Sequence, residues 1–118
     1  QACKLPEEEW EGFFKWLADF EFDKLGLPTP NLVVYLDMPT QCAVELLRAR
    51  EAATHTAGDI HEVDTQYLAL CRRTALRAAQ VLGWRVISCA DSGGAVRPAE
   101  EIHDEIWDLL SRNDWEVR

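Results

Sequence analysis

Two runs of apolar residues, and only two, have the character of buried β-strands. Residues 32–36 read LVVYL after Pro30 and Asn31, and residues 84–89 read WRVISC after Gly83. Neither alternates strongly between apolar and polar positions. Such runs suit strands covered on both faces, as in a parallel sheet. Two parallel strands do not make an independently stable sheet, and a buried strand needs hydrogen-bond partners on its flanks. The expectation is therefore a single partial domain over residues 1–118, whose remaining strands come from a lost N-terminal half or from another chain.

The rest of the pattern is helical. Pro6 and the acids Glu7, Glu8 and Glu9 open a helix whose dipole they complement. Trp10, Phe13, Phe14, Leu17 and Phe20 recur on one stripe, and Gly26 with Pro28 closes the segment. Pro39 starts a second helix that is expected to run to Arg50. Residues 51–63 are polar, contain Gly58 and lack a period, which predicts a loop. Asp64 is placed to cap a third helix, with Leu68, Cys71, Ala75, Ala78, Ala79 and Leu82 on its apolar face and Gly83 at its end. Asp91 to Gly94 make a turn. Pro98 opens a last helix with Ile102, Ile106, Leu109 and Leu110 inward, fraying from Ser111.

Composition narrows the function. The chain has 118 residues, 47% of them hydrophobic, and a formal net charge of −9. That charge disfavours a nucleic-acid backbone as partner, while leaving room for a small nucleotide. No run approaches the length of a membrane span, and no signal-peptide pattern is visible. Cys3, Cys42, Cys71 and Cys89 form no CxxC pair. They read as small hydrophobes of a reduced, cytoplasmic protein rather than a zinc site. The first residue is Gln1, which suggests a processed, cut or partly recorded polypeptide.

Six segments together resemble the C-terminal half of the thymidylate kinase family, within the P-loop nucleoside monophosphate kinases. PNLVVYLDMP (Pro30 to Pro39) looks like the family's fourth core strand, ending in Leu-Asp-x-Pro. ELLRARE (Glu45 to Glu51) is similar to the helix that leads arginines into the lid. DIHEVDTQYL (Asp59 to Leu68) resembles the lid exit. GWRVISCAD (Gly83 to Asp91) resembles the last strand and its Asp-Ala-Ser turn, and EEIHDEIWDLL (Glu100 to Leu110) the closing helix. The opening KLPEEEWEGFFKWLADFEFDKLGLP is similar to the helix before strand four.

The resemblance implies an α/β fold with a five-stranded parallel sheet, of which two strands and about four helices lie here. It implies transfer of the γ-phosphoryl group of ATP to dTMP, with Mg²⁺ present, and commonly a homodimer. The family's phosphate-binding loop, GxxxxGK[ST], does not occur in this sequence, so the chain alone is expected to be inactive. By the same resemblance the lid spans about residues 48–63, and Arg48 and Arg50 are the catalytic candidates. Cys89, Ala90 and Asp91 border the adenine of ATP, and Gln1 lies near the thymidylate pocket. Where the family often has a lid arginine, this chain has Ile60, followed by His61 and Glu62; His61 and His55 are weaker phosphate candidates. The DSGGAVRP stretch lengthens the turn after the last strand. Asp37 ends its strand at the ligand-binding edge of an α/β sheet, with capping of the next helix as its expected task. Arg72 and Arg73 read as a solvated face, as do the acids of the last helix. Two other readings stay open: half of a deoxynucleoside kinase, and a non-catalytic module that pairs through its open sheet and Trp-rich helix.

Overall fold

The computed structural model describes residues 1–54 and 64–112. Within them the chain is mixed α/β and mostly helical. After a short 3-10 turn at Ala2–Lys4 and another at Glu7–Glu9, helix α1 spans Trp10–Ala18 and continues as a π-helical segment over Asp19–Lys24. Strand β1 (Val34–Asp37), helix α2 (Thr40–Thr54), helix α3 (Thr65–Leu82), strand β2 (Arg85–Ser88) and helix α4 (Ala99–Ser111) follow. The signals at the element ends act as their chemistry requires. Asp64 accepts from the Tyr67 amide at 3.0 Å, satisfying a donor that the first helical turn leaves open. Gly83 takes φ +73°, where a Cβ is disfavoured, and lets Trp84 bond back to Ala79. Gly26, at φ +70°, ends the π-helical segment in the same way.

β1 and β2 pair in parallel, Val34 opposite Arg85 and Asp37 opposite Ser88. The burial pattern departs from expectation. Ile87 is buried, but Leu36 and Val86 are 48% and 47% exposed. They sit on opposite faces, so the sheet lacks cover where a wider sheet and its helices would lie. The core instead fills the space between α1 and α3: Ala2, Trp10, Phe14 and Ala78, with Phe13, Leu70, Val81, Leu82 and Trp84 packed around them. Trp10 is 2% exposed and its indole N–H donates to the Leu5 carbonyl at 3.0 Å, so its one polar atom is satisfied. Phe20 continues the stripe in sequence but lies outside this core. The π-helical geometry turns it outward, 41% exposed, stacked on Trp16 at 5.4 Å.

Two further expectations change. α2 continues past Arg50 to Thr54, because Ala52 and Ala53 are strong helix formers; residues 55–63 of the predicted loop lie outside the described residues. Leu110 of α4 is 39% exposed, whereas Leu109 is buried. Glu101 and Glu105 keep the solvated face expected of them but add a contact that was not foreseen, since both bind Arg97.

The hydrogen bonds define which sheet edges are open. The Arg85 amide donates to Val33 and the Cys89 amide to Asp37. In parallel pairing, residues alternate in the edge they address, so Val33, Tyr35 and Asp37 face β2 while Val34 and Leu36 face away. Among the described residues nothing pairs with that outer edge of β1. The far edge of β2 differs. Its Ser88 carbonyl accepts from Arg97 Nη1 at 2.6 Å, and residues 95–97 fold back along its end through Arg97 N–H to Cys89 O and an Ala90–Val96 bridge.

Candidate functional site

The carboxyl edge of the sheet is built around an ion pair. Asp37 ends β1, and Arg72 projects from the middle of α3. Arg72 Nε lies 2.7 Å from Oδ1 and Nη2 lies 3.0 Å from Oδ2. This is the two-pronged geometry in which a guanidinium binds a carboxylate most strongly. The Asp37 side chain is 13% exposed and that of Arg72 35%. Asp37 thus clamps α3 to the sheet, in place of the expected cap on α2, and Arg72 leaves the solvated face assigned to it. Hydrogen bonding to Asp37 raises the Arg72 pKa further above its ordinary value. Burial, and then the Asp37 charge, raise that of Tyr35 next along β1, so the phenol stays protonated. Arg72 takes up one acceptor direction on each oxygen of Asp37. No group of three or more potential metal ligands occurs among the described residues.

Beside the clamp lies the turn of Cys89, Ala90 and Asp91. Its donors are already committed: Cys89 N–H to Asp37, Ala90 N–H to Ser88 Oγ at 3.3 Å, and Asp91 N–H to Ala95. Asp91 folds the loop, accepting from the Gly93 and Ala95 amides at 2.9 Å; Gly94, at φ +85°, completes the turn that the sequence predicts. Cys42 of α2 donates its thiol to the Gly94 carbonyl at 3.3 Å. Burial raises the Cys89 pKa, with Asp37 adding to it, which keeps this sulfur a thiol and a poor nucleophile. A base resting here would meet carbonyl oxygens and the rim of a pre-shaped loop rather than free amides.

Arg48 and Arg50 are exposed on α2. They lie two to three turns beyond Thr40, about 12–15 Å along the helix. No direct contact joins Arg48 to the 89–91 turn or to Arg72 among the described residues. Gln1 is exposed at the start of the first 3-10 turn, its carbonyl accepting from the Lys4 amide at 3.0 Å. That turn packs against α3, where Cys3 interacts with Tyr67 and Cys71, one residue from Arg72. His55 and His61 lie outside the described residues. Arg73 pairs with Glu7 at 3.7 Å and covers the Trp10 ring at 5.5 Å, a structural role.

A well-formed cavity lies at the opposite end of the sheet. It measures about 660 Å³ and is bounded by α1 and its π-helical extension, the approach to β1, and Leu82 to Trp84 before β2. Sequence reading missed it, because segments far apart in the chain form its walls. It also missed the Asp37–Arg72 clamp, 35 residues apart, for which no local signal exists. Arg97 was more accessible: Glu101 follows it by four residues and Glu105 by eight.

Comparison with protein-family models, curated proteins and solved structures returns no match for this chain.

Proposed function

We propose that this chain forms the lid-bearing part of a nucleotide kinase of the thymidylate kinase type, which moves the γ-phosphoryl group of ATP to dTMP in the cytoplasm. The observation that carries the reading is the one-sided sheet. β1 presents an open edge, with Leu36 uncovered, while the far edge of β2 is covered at its carboxyl end by Arg97 and the 95–97 return. A larger parallel sheet that ends at β2 and continues beyond β1 meets these requirements. The phosphate-binding loop and the Mg²⁺ ligands then belong to the portion that adds to β1, within the same polypeptide or in another.

In this reading each part has a physical task. Phosphoryl transfer depends on positioning and on positive charge around the equatorial oxygens. Arg72 is neutralised by Asp37 and serves as a brace. Arg48 and Arg50 are the exposed charges late in α2, and closure of the lid brings them to phosphate. The 89–91 turn, stiffened by its own bonds, walls the adenine, and Gln1 borders the thymidylate pocket.

The test is a coupled ADP-release assay on a polypeptide that joins these residues to a strand followed by GxxxxGK[ST]. Turnover with dTMP is expected. Turnover of thymidine alone would select a deoxynucleoside kinase, and a coding sequence without that motif would leave a non-catalytic module.

A further inference from the structure

We propose that the cavity at the amino end of the sheet is a binding site for a small apolar cation: an amine attached to an aromatic or alicyclic body. Its volume, about 660 Å³, lies within the usual range for small-molecule sites, roughly 300–1,000 Å³. Phe14, Leu17, Phe22, Leu32 and Trp84 make its walls apolar and largely aromatic. Glu21 also lines it, displayed by the π-helical segment, a geometry that recurs at functional sites.

Charge selects the ligand. Glu21 has no ion-pair partner among the described residues. The two lysines on its own helical stretch are occupied elsewhere, Lys15 with Glu11 at 3.1 Å and Lys24 with Asp19 at 3.4 Å. Among the described residues, no basic side chain lines the cavity. A cation therefore gains a carboxylate contact, and the negative faces of the aromatic rings favour it further. An anion of the same shape meets repulsion from Glu21 and from a chain of net charge −9. The site is independent of the kinase reading, since it lies away from the carboxyl edge and uses none of the residues assigned there.

The test is an NMR titration of the 118-residue chain with three isosteres: 1-naphthylmethylamine, 1-naphthalenemethanol and 1-naphthoate. Saturable shifts are expected at the Trp84 indole N–H and the Asn31 amide. The amine should bind about fivefold more tightly than the alcohol, the size of one partly screened charge contact, and naphthoate more weakly still. Glu21→Gln should erase the preference for the amine, and Glu21→Lys should transfer it to naphthoate. Equal affinity for all three probes would overturn the proposal, as would shifts centred on Trp16 or Trp107, or the absence of saturation.

Discussion

Breaking the clamp between β1 and α3 should cost far more than breaking a surface ion pair. In Arg72→Met the aliphatic stem is kept and the charge removed, which leaves the Asp37 carboxylate, 13% exposed, without its partner. Two charge-assisted bonds at 2.7 and 3.0 Å are lost, each worth roughly 1.5–3 kcal/mol when shielded. Water reaches the arginine, whose side chain is 35% exposed, so about half that sum survives. The expected loss is about 3 kcal/mol for Arg72→Met, because a stranded carboxylate is worse than none, and about 2 kcal/mol for Asp37→Ala. A double-mutant cycle in urea, followed by far-ultraviolet circular dichroism, should give a coupling of about 2 kcal/mol. A coupling below about 0.5 kcal/mol, the level of an exposed pair, would refute the clamp and with it the view of Arg72 as a brace.

Other outcomes follow from the same geometry. Cys89 has its pKa raised above the ordinary thiol value of 9.0, so the unfolded chain ionises first. Stability from this group is complete below about pH 9 and falls as pH rises through the folded value; urea midpoints across pH 7–10.5 should show the decline, and Cys89→Ala should lessen it. Gly83→Ala, at φ +73°, should lower stability by about 1 kcal/mol, read from the thermal midpoint. Arg97→Met removes the cover from Ser88 O and should speed amide exchange in residues 88–97, while α1 and α3 keep their protection. In a complete kinase, Arg48→Ala with Arg50→Ala should lower the single-turnover rate more than it weakens ATP binding. An unchanged rate would remove the lid assignment. The 118 residues alone should release no ADP.

The local grammar of this chain was readable because each signal acts on its own neighbourhood. Asp64 needs only the amide three residues on, and Gly83 only its own φ. The parallel pairing of two apolar runs was likewise foreseeable. Full burial of those runs was not realised, since hydrophobicity states what a strand requires and not whether a covering layer is at hand; Leu36 and Val86 are the result. The π-helical segment redirected Phe20, a change of pitch that a 3.6-residue period does not register. At the candidate site, the turn at Asp91 was visible in its Gly-rich spelling. The commitment of its amides was not, because their acceptors depend on how residues 95–97 return.

The unequal edges of the sheet also bear on how copies of this chain can associate. A ribbon with two free edges can recruit a neighbour on each side and grow without limit. Here Arg97 and the return segment cover the carboxyl end of the β2 edge, at Ser88 O and Cys89 O. The outer edge of β1 is the more open of the two, so edge-to-edge pairing of two copies starts there.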